Sequence, residues 1–427
     1  MPRPTARGLA LLGIAAGTYV AARLVGTWEL YLLAFALVAV VLVSWVLVGF
    51  AGRRIRIARD LYPTYPVAGD EPELRMVIKN RSWLPGPELT ISSPLAGLAN
   101  DDPELEVEGP APRARRMVVV RIGQVNRGVH VLPPAMMLAE DPLGLAIVAR
   151  RVGTPLRVTI HPRLTPLRSC ALTSEIGLPH DRSSRRSLLT LGTSEFRAIR
   201  PYQPGEPLSH IDWKSTAKTG VLMLRETEEP AGGRMDILLD GTAAQVLGRA
   251  PDSSFELAVR AAGSICDFAL RAGHTVTLFR HEHHLQRTQL PADENGRSEL
   301  LEVLAGAQPS ATIPLAQNLR RLYNTGARTL RPESLTVVSM SLDHELVHTL
   351  IELRGARTHV ALLYVAGDTF TRTPETNWSM PLSAETRSQL LALLAAGIPC
   401  LTLERGDDLE QIMSLGRDNR TYEAGGR

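Results

Sequence analysis

Met235-Asp236-Ile237-Leu238-Leu239-Asp240 is a short apolar run closed by an acid, the kind of segment that a parallel sheet buries on both faces. Behind it, Phe255, Ala258, Val259, Ala262, Ile265, Cys266 and Ala269 fall at i, i+3, i+4, i+7, i+10, i+11 and i+14, one buried face of a helix. Gly273 ends that helix, and Thr275 to Phe279 reads as the next strand. Leu335 to Met340, His359 to Val365 and Ile398 to Leu403 supply further strands; His344 to Leu353 and Ala384 to Ala396 supply helices, the latter closed by Gly397. Alternating strand and helix predict a doubly wound α/β domain over residues 233–427. Cys266 on the apolar face reads as core packing.

Upstream the rhythm changes. Leu74, Met76 and Ile78 alternate with Arg75, Val77 and Lys79, a period of two that stops at Asn80-Arg81-Ser82. Arg116 to Ile122, Val129 to Leu132 and Leu156 to Ile160 are further short strands, punctuated by Pro85-Gly86-Pro87, Glu108-Gly109-Pro110 and Pro133-Pro134. No amphipathic stretch of helical length occurs there, so residues 61–165 are expected to form a small β-sandwich. Residues 166–232 read as a linker with the Arg- and Ser-rich run Arg182 to Ser187, followed by a distinctive polar segment.

At the N-terminus, Trp28 to Phe50 is almost wholly apolar. Its stretch from Leu30 to Phe50 has the roughly 20 residues needed to cross a hydrocarbon layer of about 30 Å. Gly8 to Val25 forms a second candidate span, with Arg23 close enough to its end to reach headgroups. A signal peptide fits less well: the n-region is short, no small-x-small cleavage site precedes polar sequence, and another span follows at once. Residues 1–60 are therefore read as a transmembrane helical hairpin with a basic stem. Arg3, Arg7, Arg23, Arg53, Arg54, Arg56 and Arg59 oppose only Glu29 and Asp60 there. Because the whole chain carries +3, the rest is close to neutral, and the basic surplus is a topology signal rather than a nucleic-acid surface. The positive-inside rule places both ends of the hairpin, and the soluble part, in the cytoplasm at the plasma membrane.

The composition agrees. With 427 residues, 44 % apolar and 21 % charged, the chain is long enough for several folded units and excludes wholesale disorder. Three scattered cysteines, Cys170, Cys266 and Cys400, make neither a disulfide framework nor a C-x-x-C metal or redox pair.

Residues 196–229 read FRAIRPYQPGEPLSHIDWKSTAKTGVLMLRETEE. Tyr202-Gln203-Pro204-Gly205 is a turn in which proline fixes φ and glycine supplies freedom. Ile211-Asp212-Trp213 sets a carboxylate beside a large ring, and Thr219-Gly220 leads into a strand from Val221 to Glu226 that ends on Arg225-Glu226. Such a mixed polar network can clamp a loop onto a domain or present a surface to a partner.

This stretch resembles the signature of the bacterial "domain of unknown function 58" family (DUF58). Arg200, Tyr202, Pro204, Gly205, Ile211, Asp212, Trp213, Ala217, Leu222, Arg225 and Glu226 match its pattern. Glu206 keeps an acid and Lys218 replaces an arginine, while Ser209 stands where the family has arginine and removes any ion pair made there. Asn126-Arg127-Gly128, Asp141 to Leu145 and Ile160 to Arg163 resemble the family's upstream marks. The resemblance implies two N-terminal helices, a β-sandwich and a domain similar to von Willebrand factor type A. It also implies association with a MoxR-type AAA+ ATPase or a transglutaminase-like membrane protein, and it carries no settled activity.

A metal-binding von Willebrand A domain presents D-x-S-x-S after its first strand. Here Asp240-Gly241-Thr242-Ala243-Ala244 keeps Asp240 and Thr242 but lacks the last hydroxyl, and Val338-Ser339-Met340-Ser341 lacks the later aspartate. Mg²⁺ demands a nearly complete oxygen shell, so Asp240 and Thr242 are read as the remnant of a metal site with no ion and no cofactor. His281-Glu282-His283-His284 is not H-E-x-x-H, and it reads as a strand end or hairpin tip whose neighbouring histidines face opposite ways. The sequence has no phosphate-cradling loop, nucleophile elbow or dinucleotide fingerprint. The expectation is a membrane-tethered, non-catalytic adaptor that binds a protein partner through the von Willebrand A-like domain. The residues expected to form a partner-binding or interdomain motif are Arg200, Tyr202, Pro204, Gly205, Glu206, Asp212, Trp213, Arg225 and Glu226. The alternatives are a metal-dependent enzyme at the membrane, using Asp240 and Thr242, and a structural component of a cell-envelope assembly.

Overall fold

The structure, a computed structural model, describes residues 2–99, 102–172, 196–201, 213–227, 234–324, 334–356, 358–371 and 382–415. It divides into two units, residues 1–163 and 164–427.

The first unit opens with β1 (Arg3–Pro4) and two long helices, α1 (Ala6–Val25) and α2 (Trp28–Arg54). Thr5 caps α1 by accepting the Gly8 N–H, and Gly26 closes it in the left-handed region at φ +77°, its N–H returning to Ala22 O at 2.9 Å. That turn brings α2 back alongside, with Tyr19 edge-on to Tyr31 at 5.6 Å. Both helices are long and apolar enough to cross a membrane.

Strands β2 (Ile55–Tyr62), β3 (Glu73–Asn80), β4 (Glu88–Ser92), β5 (Glu104–Val107), β6 (Arg115–Arg121), β7 (Gly128–Leu132), β8 (Ala135–Glu140), β9 (Ala146–Val152) and β10 (Leu156–Ile160) follow. They pair antiparallel as β1-β9-β8-β4-β5, β2-β3-β6 and β10-β7. The alternation read from the sequence puts Leu74, Met76 and Ile78 of β3 fully inside. There they share one core with Ile55 and Ile57 of β2, Leu89 and Ile91 of β4, and Met137 of β8. Val48 of α2 belongs to the same core. Position 60, where the sequence set the end of the stem, lies inside β2.

In the second unit, β11 (Phe196–Pro201) pairs antiparallel with β12 (Met223–Thr227), and α3 (Trp213–Thr219) precedes the latter. The larger body runs β13 (Arg234–Asp240), β14 (Gly248–Arg249), β15 (Asp252–Ser253), α4 (Ser254–Arg271), β16 (Thr275–His281), β17 (Leu285–Leu290), α5 (Glu294–Ala305), α6 (Leu315–Asn324), β18 (Ser334–Ser339), α7 (His344–Gly355), β19 (His359–Val365), α8 (Ala384–Ala395), β20 (Cys400–Leu403) and α9 (Leu409–Leu415). Its sheet has the order β17-β16-β13-β18-β19-β20. Every pairing is parallel except the β16–β17 hairpin.

Successive residues of β13 face opposite ways, so Ile237 and Leu239 pack with Ala258, Val259, Ile265 and Cys266 of α4. Leu238 packs with Leu319 of α6, Leu350 of α7 and Leu393 of α8. The mixed α/β unit behind a β unit therefore matches the expectation, with helices on both faces of the sheet. Cys266 is fully buried in the α4 core, and burial pushes its thiol pKa up.

Candidate functional site

In an α/β sheet the positions with chemical potential lie beyond the carboxyl ends of the parallel strands. Three adjacent strands end there on polar side chains: β13 on Asp240, β16 on His281 and β18 on Ser339. Asp240 and His281 are register partners. All three residues are fully buried.

The Asp240 carboxylate is the hub. Its Oδ1 accepts from Thr242 Oγ1 at 2.7 Å, Thr242 N at 3.0 Å and His281 Nδ1 at 3.0 Å. Its Oδ2 accepts from Ser339 Oγ at 2.7 Å, and that hydroxyl accepts the Ser341 N–H at 3.2 Å. Three donors therefore converge on Oδ1 and one holds Oδ2. Burial by itself raises the Asp240 pKa, but the hydrogen bonds from His281, Thr242 and Ser339 outweigh it and hold the carboxyl below its ordinary range.

The same contacts fix the histidine. A carboxylate can only accept, so Nδ1 of His281 carries the proton. Nε2 faces Asn318 Nδ2 of α6 at 2.8 Å. Asn318, Thr242 and Ser341 form the half-buried outer layer of the cluster.

Gly241 makes the crossing possible, because a Cβ there would lie 2.3 Å from the carbonyl oxygen of His281. Beyond it, Thr242 bridges to Ala311, with Ala243 N donating to Ala311 O at 3.0 Å and Ala311 N to Gly241 O at 2.9 Å. This stitch leaves Ala243, Ala244 and Gln245 exposed at the rim, alongside His283, His284, Asp343, His344 and Asp368 from neighbouring loops.

The chemistry of this constellation is that of a closed polar knot. Ser339 spends its hydroxyl proton on Asp240 instead of His281, so the three do not form a nucleophile–base relay. The two residues read as a metal remnant, Asp240 and Thr242, do come together. Among the described residues, no group of three or more His, Cys, Asp or Glu side chains is placed to hold a metal. Sequence reasoning found Asp240 and Thr242 but assigned no role to Ser339 or Asn318. It read His281 to His284 as a strand end or hairpin tip, and His281 does end β16 with its side chain buried, while His283 and His284 sit exposed in the turn that follows.

Of the signature segment, Tyr202, Pro204, Gly205, Glu206 and Asp212 lie outside the described residues, as does the run Arg182 to Ser187. Arg200 lies in β11 opposite Leu224, while Arg225 and Glu226 lie in β12 opposite Ile199 and Ala198. Trp213 opens α3. The strand expected from Val221 begins at Met223, after Gly220 at φ +72° and a Met223 N–H bond to Thr216 Oγ1 at 3.0 Å.

Among known families, the model described as "Protein of unknown function DUF58" matches residues 198–388. Among curated proteins, the uncharacterised YeaD of Bacillus subtilis (strain 168) is 26 % identical over 170 residues, and the match spans 40 % of each chain. Solved structures give weaker likenesses. An aerotolerance-related membrane protein from Bacteroides fragilis aligns at 10 % identity and a TM-score of 0.28, covering 45 % of this chain and 100 % of that one. Proximal thread matrix protein 1 from the mussel byssus aligns at 7 % identity and the same TM-score, covering 44 % and 47 %. Scores this low carry no argument.

Proposed function

From the match of residues 198–388 to the DUF58 family model, we propose that this chain is a membrane-tethered, non-catalytic adaptor that holds a protein partner. In this reading α1 and α2 span the plasma membrane as a hairpin. The arginines at both ends of the hairpin keep the termini and both folded units in the cytoplasm. The α/β unit is the von Willebrand A-like part, and its partner surface is the rim of loops beyond the parallel strands. A MoxR-type AAA+ ATPase is the first partner to test, on the strength of the resemblance in residues 196–229.

The observation that carries the reading is the anchoring of Asp240. The Thr242 hydroxyl and N–H, His281 and Ser339 all hold this buried carboxylate and make the position a rigid support for the rim. The exposed His283, His284, Asp343 and Asp368 then supply a polar surface suited to a protein rather than to a small substrate.

The test is a crosslinked pull-down of the full-length protein from native membranes, read by mass spectrometry. Asp212→Ala and the rim variant Asp368→Arg run beside the parent. Enrichment of an AAA+ ATPase that the rim variant loses supports the adaptor and its docking face. Loss with Asp212→Ala alone moves that face to the signature segment. If an AAA+ ATPase is recovered equally with all three proteins, or with none, the proposed docking face is rejected.

A further inference from the structure

The first unit holds an apolar groove of about 560 Å³, within the size range of small-molecule sites. One wall is α2, through Ala39, Val43, Ser44, Leu47 and Ala51. The other is a pair of loop tips, Leu84 to Pro87 and Pro142-Leu143.

Both tips are built to stand out. In the first loop, Asn80 is 1 % exposed, and its Nδ2 donates to Leu84 O at 2.9 Å and Pro110 O at 3.0 Å. Its Oδ1 accepts the Ser82 N–H at 2.8 Å, and Ser82 Oγ accepts the Leu84 N–H at 3.0 Å. The second loop is wound around Asp141, 4 % exposed, whose carboxylate accepts the N–H groups of Leu143, Leu145 and Ala146. Buried polar side chains thus fix the backbone while Trp83 and Leu143 project at 69 % and 61 % exposure. Holding large apolar side chains in water costs free energy, so rigid apolar tips beside an apolar helix point to a non-aqueous neighbour.

The charges above the groove indicate which neighbour. Ala51 lies one turn below Arg54, and Arg53 and Arg54 end the helix exposed. The first loop starts at that level, with Arg81 N donating to Arg54 O and Arg113 N to Ser82 O, both at 3.1 Å. Arg81 and Arg113 are also exposed. An apolar trough that runs down a membrane-length helix from a collar of four arginines matches a lipid with an anionic head and a hydrocarbon tail.

We propose that this groove seats one acyl chain of an anionic bilayer phospholipid, with the net negative charge of its head attracted by the arginine collar. The proposal rests on the reading of α2 as membrane-embedded. It adds that the β-rich unit itself dips two loops into the bilayer interface and carries a bound lipid.

The test reconstitutes the full-length protein in vesicles containing phosphatidylglycerol with a photoreactive group on its acyl chain, and maps the labelled peptides. Labelling of Leu84 to Pro87 and Pro142-Leu143, in addition to α2, is expected. It should fall several-fold in Val43→Trp, which fills the groove from an exposed helix position, while labelling of α1 stays constant. Arg81→Glu should reduce labelling by phosphatidylglycerol but not by photoreactive phosphatidylcholine. Labels confined to α1 and α2, with both loops clean, would overturn the groove while leaving the tether intact. An absence of label anywhere would overturn the tether as well. Equal loss of both lipids in Arg81→Glu would overturn the head-charge half of the proposal.

Discussion

At Asp240 a single carboxylate sets the stability and the chemical character of the crest. Charge-assisted hydrogen bonds are worth about 1.5–3 kcal/mol each in net terms, so Asp240→Asn, which keeps the shape but removes the charge, should cost about that much at pH 7. The pH dependence follows from the direction of the shift. Folding lowers the Asp240 pKa, so its contribution is complete above the unfolded value near ~4 and is lost as pH falls through the folded value. The parent should therefore be more stable than Asp240→Asn at neutral pH, and the gap should close in acid. Asp236 is shifted the other way, its burial outweighing the nearby Arg234, but both proteins carry it and the comparison cancels it. Urea unfolding at several pH values measures the gap; a constant difference from pH 7 into acid would show that the charge plays no part. This cluster was only half legible in the sequence for a physical reason. Asp240 and Thr242 sit two residues apart and read as a motif. His281 is 41 positions from Asp240, Ser339 is 99 away, and Asn318 is 37 from His281. The pairing of β13 with β16 and β18 brings Asp240, His281 and Ser339 together, and α6 adds Asn318.

Among the elements, strongly periodic segments were readable and polar ones were not. β19, with six of its seven residues buried, and α4, with one continuous apolar face, stand out in any window of the chain. α5 begins Glu294-Asn295-Gly296, a turn signature, and becomes a helix because Asp293 caps it by accepting the Gly296 N–H at 2.7 Å. β17 has one buried residue, Leu290, and is held by its hairpin partner β16 rather than by burial. The signature segment gave no hint of α3. The step from β13 to the crest shows how backbone proximity decides a residue that pattern leaves open. Gly241 looked like the free second position of a motif, yet β16 runs so close that no side chain fits. The clashing atom is a carbonyl oxygen of the central sheet, which cannot swing away. Gly241→Ala should therefore destabilise the α/β unit by about 1–3 kcal/mol, although alanine at an unconstrained loop position is neutral or better. Gly406→Ala is a poor control because its φ is +87°, whereas Gly123→Ala, with open space around it, should leave the melting temperature unchanged. Equal melting temperatures for Gly241→Ala and the parent would refute the close approach.

On the scale of the whole molecule, the apolar hairpin and the β-rich unit are one piece. Thr5 N donates to Leu145 O at 3.0 Å, β1 pairs with β9, and a Cβ on Gly52 would lie 2.8 Å from Val148 Cγ1. The sequence presents a hairpin, a basic stem and a sandwich as three successive blocks, because charge and hydropathy change sharply between them. It does not reveal that the stem is itself a strand. Ile55 and Ile57 of β2 are buried in the core of the β-rich unit, and β2 pairs with β3 along all eight of its residues. Burial of each isoleucine contributes about 1.5–3 kcal/mol, and removing β2 also strips β3 of one hydrogen-bonded neighbour and leaves an open edge. Chains that start at Ile55 and at Leu61 should therefore behave differently. The longer one keeps β2 and loses the two helices, β1 and the single Val48 contribution to the core; it should retain the β unit at reduced stability. The shorter one exposes Leu74, Met76 and Ile78 along an uncovered strand, and the unit should unfold or aggregate. Circular dichroism and thermal melting of the two truncations decide the matter. If the chain from Leu61 melts cooperatively at the same temperature as the chain from Ile55, β2 is dispensable, and the anchor and the folded part are separable after all.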